Sequence, residues 1–220
     1  MKTVAIITAA GHGKRMGRPK QFIEIGGKPM LEWTLAAFEK AKTIDEIILV
    51  VNKEDIPKGK KFKFSKLKKV VAGGEERQVS VANGLEALPA DAEIIAVHDG
   101  ARPFISAEII ESTVNEAKRS GAAVVGVPIK DTVKKATSDE RRVTETIDRS
   151  ELWAAQTPQV FRKDIILKAY QNSEKVTDDS MLVEKTGQPV TMVMGSYQNI
   201  KVTTPEDLEI ALKFLKGVSR

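Results

Sequence analysis

Apolar residues in this chain fall into short unbroken runs, separated by stretches of helical period. Val4-Ala5-Ile6-Ile7, Ile47-Ile48-Leu49-Val50-Val51, Ile94-Ile95-Ala96-Val97, Ala122-Ala123-Val124-Val125-Gly126-Val127 and Val190-Thr191-Met192-Val193-Met194 are nearly free of polar side chains. Such continuity fits strands covered on both faces, because a half-exposed strand would alternate. Residues 69–72 read as one more strand. Between them, Pro29 opens a helix whose Leu31, Thr34, Leu35 and Phe38 share a face. Ser106 caps a second, with Ile110, Thr113, Val114 and Ala117 turned inward and Gly121 closing it. Thr204-Pro205-Glu206-Asp207 starts a last helix, with Leu208, Ala211, Leu212 and Leu215 on one stripe. The alternation predicts an α/β fold: a Rossmann-like three-layer sandwich around a mostly parallel sheet. Its ligands should lie beyond the carboxyl ends of the strands. Gly11, Asp99 and Lys130-Asp131 each follow a strand, so they are expected to converge on one crevice.

One segment breaks the rhythm. Residues 131–155 hold two short polar β-like runs, 132–136 and 142–147, joined by Thr137-Ser138-Asp139-Glu140. Too polar for the core, they read as a projecting β-hairpin, an arm of the kind exchanged between subunits.

Composition narrows the class. With 220 residues, 41% of them hydrophobic, the chain can build one sizeable core, and a single domain over 1–220 is expected. The absence of cysteine excludes a disulfide framework, a thiolate nucleophile and a thiolate-held metal. Two histidines, His12 and His98, are too few for a His-rich metal site, so a metal would be held by carboxylates and phosphates, as magnesium is. No run approaches a membrane span, and a strand begins almost at the first residue; no membrane and a cytoplasmic location are expected. The net charge of +5 raises the question of nucleic acid, above all at residues 58–69, with seven lysines around Phe62 and Phe64. That run joins two strands and carries no nucleic-acid consensus, so it reads as a solvated connection and no nucleic-acid partner is expected.

The chemistry is concentrated after the first strand, in Ala9-Ala10-Gly11-His12-Gly13-Lys14-Arg15-Met16-Gly17-Arg18-Pro19-Lys20. Closely spaced glycines let the backbone approach a ligand, and successive N–H groups form an anion cradle. Four Lys and Arg side chains and no carboxylate between Gly11 and Lys20 suit a triphosphate. The dinucleotide fingerprint is not met, since Gly11, Gly13 and Gly17 are misspaced. The Walker loop is not met either, because Arg15 stands where Ser or Thr should follow Gly13-Lys14.

These residues carry a resemblance. Ala9-Ala10-Gly11-x-Gly13-x-Arg15-Met16 with Pro19-Lys20-Gln21, then Gly73-Gly74-Glu75-x-Arg77-x-x-Ser80-Val81-x-x-Gly84-Leu85, resembles the cytidylyltransferases that act on small sugar-alcohol phosphates. The likeness continues through His98-Asp99-Gly100-Ala101-Arg102-Pro103, Asp131-Thr132, Asp148-Arg149, Thr157-Pro158-Gln159, Thr177-Asp178-Asp179 and 199–207. Gly100 stands where the common form has alanine. The resemblance implies a transferase that joins CMP from CTP to methylerythritol phosphate, or alternatively to ribitol phosphate, releasing pyrophosphate. A non-catalytic nucleotide sensor on the same fold is a more distant alternative. The resemblance assigns Arg15, Lys20, Arg149 and Lys201 to catalysis. It assigns Ala9, Ala10, Gly11, Gly13, Lys14, Gly74, Glu75 and Ser80 to CTP, and Asp99, Arg102, Thr132 and Thr157 to the acceptor. It further implies Mg2+ or another divalent cation, held mainly by the CTP phosphates with Asp99 as a candidate ligand. It also implies a homodimer in which the 131–155 arm completes the partner's site.

Overall fold

The computed structural model describes residues 1–11, 20–171 and 174–218, leaving aside the side chains of residue 20 and residues 216–218. Its elements run β1 (Lys2–Ala9), β2 (Glu24–Ile25), β3 (Lys28–Pro29), α1 (Met30–Lys40), β4 (Glu46–Val51), α2 (Ile56–Gly59) and β5 (Leu67–Ala72). There follow α3 (Arg77–Glu86), β6 (Ala92–Asp99), α4 (Ala107–Ser120), β7 (Ala122–Pro128), β8 (Val133–Ala136), β9 (Val143–Ile147) and β10 (Trp153–Arg162). The chain closes with α5 (Lys163–Ala169), α6 (Asp179–Glu184), β11 (Thr191–Met194) and α7 (Pro205–Val218).

Seven strands form one sheet in the order β11-β7-β10-β6-β1-β4-β5. All pairings are parallel except those of β10, which runs antiparallel between β6 and β7. The carboxyl ends of β1, β4, β5, β6 and β7 therefore share one edge. Alternate residues of each strand feed opposite faces, as the two-residue pleat requires. Ala5, Ile7, Leu49 and Ala96 pack under α1 and α4, whereas Val4, Ile6, Val50 and Val97 pack under α3, α5 and α6. Both faces are covered, which explains the unbroken apolar runs.

The helices follow their stripes. Met30, Leu31, Thr34, Leu35 and Phe38 of α1 are buried, the large apolar ones each contributing on the order of 1.5–3 kcal/mol relative to exposure. The Ser106 hydroxyl accepts the Ile109 N–H at 3.3 Å to cap α4, and Gly121 ends it at φ 93°, a left-handed conformation that glycine adopts without steric cost. In α7, Ala211 is buried and Leu208 and Leu215 pack on Ile25, Met30 and Val202. Leu212, expected inward, is exposed, because α7 rests on one small cluster instead of the sheet. β11 departs too: as an edge strand it leaves Met192 and Met194 open to solvent.

The hairpin forms as expected. β8 and β9 pair from Val133↔Ile147 to Ala136↔Val143 as a separate two-stranded sheet, exposed along most of its length. In the lysine-rich run, Phe62 and Phe64 pack against the core and are not offered for stacking. Among the described residues, no helix is long and apolar enough to cross a membrane.

Candidate active site

A cavity of about 320 Å³ opens at the carboxyl edge, lined on one side by Thr8, Ala9, Ala10 and Gly11. Gly74, Glu75, Glu76, Arg77 and Ser80 form a second side, and Gln21, Asp99, Ala101, Lys201 and Thr203 complete it. The first wall is the end of β1, where small side chains expose main chain. The second is the turn from β5 into α3, and its geometry depends on two contacts. A Cβ on Gly73 would lie 2.4 Å from the Ala10 Cβ and 2.7 Å from the Ser80 Oγ, so this approach needs glycine. The Ser80 hydroxyl accepts the Gly74 N–H at 3.1 Å and sits 3.1 Å from the Glu76 carbonyl, pinning the turn to α3.

Asp99 closes the floor. Its Oδ1 accepts from Arg77 Nε at 3.1 Å, its Oδ2 lies 2.8 Å from Lys201 Nζ, and Arg102 Nε is 3.8 Å away. Burial alone would raise the pKa of this carboxyl. Arg77 above all, then Lys201 and Arg102, reverse that and hold it well below the usual carboxylate range. Arg77 also forks onto Asp179, at 2.9 and 2.7 Å, and the Tyr170 hydroxyl donates to the same carboxylate at 2.5 Å. Against the cost of its own burial, Asp179 and Asp99 raise the Arg77 pKa, so the guanidinium stays charged. Burial and the Asp179 charge push the Tyr170 hydroxyl upward as well.

Behind Asp99 runs a one-way chain of hydrogen bonds. The Asp99 N–H donates to Thr157 Oγ1 at 3.1 Å, and that hydroxyl lies 3.0 Å from His98 Nδ1. The Arg102 carbonyl, 3.3 Å from Nε2, can only accept, so His98 carries its proton on Nε2. The neutral ring then leaves Nδ1 bare to accept from the Thr157 hydroxyl. Burial keeps the ring neutral, lowering its pKa to about 3. Lys201 is aimed at Asp99 by a fixed loop: Val202 N–H donates to the Ala101 carbonyl at 2.9 Å, and Asp207 Oδ2 gathers Thr203 N, Thr203 Oγ1 and Thr204 N at 2.8, 2.8 and 2.9 Å.

The structure thus brings together Ala9, Ala10, Gly11, Gly74, Glu75, Ser80, Asp99 and Lys201. Gly13, Lys14, Arg15 and the Lys20 side chain lie outside the described residues. Arg102 does not line the cavity; burial lowers its pKa, and Nη1 donates to the Asn199 carbonyl at 2.8 Å. Thr157 is likewise set back, holding Asp99 from behind. Thr132 and Arg149 sit on the exposed hairpin, away from this chain's cavity. Lys130, expected at the crevice, instead covers the Tyr197 ring at 3.5 Å. Among the described residues, no group of three or more His, Asp or Glu is arranged to hold a metal. Sequence reasoning passed over Arg77, Asp179, Gln21 and Thr203. Each stands inside a block that carries the resemblance, which was the available signal.

The model of the 2-C-methyl-D-erythritol 4-phosphate cytidylyltransferase family matches residues 3–217. A protein of that name from Alkaliphilus metalliredigens is 51% identical, over 95% of this chain and 91% of its own length. One from Geobacillus kaustophilus is 47% identical over 96% of each. Among solved structures, the 4-diphosphocytidyl-2C-methyl-D-erythritol synthase of Anaerococcus prevotii superposes with a TM-score of 0.86 at 40% identity, covering 98% of this chain and 96% of that one.

Proposed function

Since this chain belongs to the 2-C-methyl-D-erythritol 4-phosphate cytidylyltransferase family, whose members transfer CMP from CTP in isoprenoid biosynthesis, we propose that the cavity between β1, α3 and Lys201 is where the transfer occurs. The observation that carries this reading is the union, in one cavity, of a narrow wall of main chain at Ala10 and Gly74 with a carboxylate held by Arg77 and Lys201. The wall suits a pyrimidine edge; the charged floor suits a phosphate acceptor.

In this reading an oxygen of the acceptor phosphate attacks the α-phosphorus of CTP. As that bond forms, the bond from the α-phosphorus to the bridging oxygen breaks, and the electron pair leaves with pyrophosphate. A phosphate monoester is already ionised near neutral pH, so no side-chain base is required, and catalysis consists of positioning and charge stabilisation. Ala9, Ala10, Gly74, Glu75 and Ser80 receive the cytosine. Gly11, Gly13 and Lys14 receive the triphosphate, while Arg15 and Lys20 oppose the charge that develops on the α-phosphate and pyrophosphate. Lys201 leaves Asp99 to meet the acceptor phosphate, an exchange favoured because Arg77 still compensates Asp99. Arg102 and Thr157 act through Asp99. Asp99 is ionised and could take one position on a Mg2+ held mainly by the CTP phosphates, and the metal would supply further neutralisation of the triphosphate.

Thr132 and Arg149, remote from their own cavity, are assigned to the partner's site in a homodimer formed through the 131–155 arm. We assign the enzyme to the cytoplasm. Pyrophosphate release with each nucleotide and each acceptor tests the reading. CTP with methylerythritol phosphate should be turned over far faster than CTP with ribitol phosphate, or than other nucleotides: ATP and GTP because purines do not fit a pocket lined by main chain near Gly74 and Ser80, and UTP because a site that hydrogen-bonds the cytosine amino group leaves buried acceptors unpaired with uracil. Equal turnover of CTP and ATP would refute it.

A further inference from the structure

Gln21 lies in the 3-10 turn Lys20–Phe22, directly after the cation-rich segment of the sequence. It is 3% exposed, yet it lines the cavity, and its Nε2 has no hydrogen-bond partner. Unpartnered buried side-chain atoms also occur on Thr3, Thr43, Arg102, Arg162 and Asn199, but none of those residues borders the cavity. The two residues that follow it are apolar and held by the core: Phe22 packs on it and Ile23 is buried. A leucine at position 21 would forgo no hydrogen bond of Nε2. A buried amide without a partner destabilises the fold, and a cost of that kind is retained where a ligand completes the bonding.

We propose that Gln21 is a further substrate-binding residue whose Nε2 donates to a phosphate oxygen of the bound nucleotide, beside Lys20. Consecutive Cα atoms are about 3.8 Å apart, so the chain sets Gln21 next to the last cation of the loop. The terminal torsion of glutamine is broad, so the amide can turn to meet a ligand in the cavity that Gln21 lines. Lys20 supplies charge without direction; the amide supplies a directional donor without charge, which orients the phosphate for in-line attack.

The inference rests on the cavity being the nucleotide site, and turnover of CTP by the unmodified enzyme tests that separately. Gln21→Leu should raise the melting temperature by a few degrees, as removal of an unpaired buried amide does. It should also lower kcat/KM for CTP by about 10- to 100-fold, the usual loss for a charge-assisted hydrogen bond. Inhibition by cytidine, which lacks phosphates, should be unchanged. Gln21→Glu, of equal shape, should lose at least as much through repulsion of the triphosphate and keeps the test open if the leucine variant folds poorly. A lowered melting temperature with kcat/KM intact would make Gln21 a packing residue and overturn the proposal. Cytidine inhibition weakened in step with CTP would overturn it too, by moving the contact to the nucleoside.

Discussion

His98 should make this protein acid-labile through a single titration. The ring is fully buried, its centroid 4.9 Å from that of Phe38, and both nitrogens are occupied, by the Thr157 hydroxyl and the Arg102 carbonyl. Placing a second proton on Nδ1 would oppose the hydroxyl proton already directed there and charge a desolvated ring. The neighbouring Asp99 favours that proton and Arg102 opposes it, but burial dominates, and the pKa falls from 6.5 to about 3. In the unfolded chain the same ring takes a proton near its ordinary pKa. Below that value the unfolded state binds one more proton than the folded state, so stability is lost as pH falls. The slope is about 1.4 kcal/mol per pH unit, and the depression is worth about 5 kcal/mol in all, comparable to the total stability of many domains. Asp99 and the other carboxylates held low, Glu39 and Asp207 among them, contribute in the same direction as pH approaches the ordinary carboxylate range, so the difference between the native protein and a variant that cannot titrate at His98 is what isolates the ring. Urea unfolding at pH 7, 6, 5 and 4 should show the native protein losing about 1.4 kcal/mol per unit more than His98→Gln, which retains an N–H for the Arg102 carbonyl but cannot titrate. Parallel profiles for the two proteins would refute the reasoning.

Two other consequences concern charged partners. Arg77→Met should cost about 3–5 kcal/mol in urea unfolding, because Asp179, 1% exposed, would be left charged without its fork. Adding Asp179→Leu should recover part of that loss, and strictly additive losses would show that the pair is not coupled. If the arm completes the partner's site, Lys20→Ala and Arg149→Ala should each be nearly inactive alone. Equal amounts refolded together should regain about a quarter of wild-type pyrophosphate release, since half the dimers are mixed and each has one intact site of two. No recovery would mean that each arm serves its own chain.

The sequence alone determined whatever depends on local periodicity. Unbroken apolar runs marked strands covered on both faces, the α1 and α4 stripes marked the inward residues, Ser106 and Gly121 marked helix ends, and polar alternation after residue 131 marked the hairpin. Spaced blocks of Gly, Arg, Lys and Asp carried the family. Tertiary structure decided the rest. β10 escaped notice because Gln156, Thr157 and Pro158 interrupt it with polar side chains and a missing N–H. Those polar groups are buried and satisfied by distant partners, as Thr157 is by His98 and Gln156 Oε1 by the Asn199 amide at 3.0 Å. β11 read as a covered strand because composition does not say which strand lies at a sheet edge. That the Ser80 and Thr157 hydroxyls also hold Gly74 and Asp99 was not legible, because those partners are set by the fold. Arg77 finds Asp179 102 positions away. Hydrophobic burial leaves a periodic trace in the chain because it acts through the repeat of each element. A hydrogen bond or ion pair between remote residues leaves none, because its partners are chosen only when the order of the strands brings their ends together.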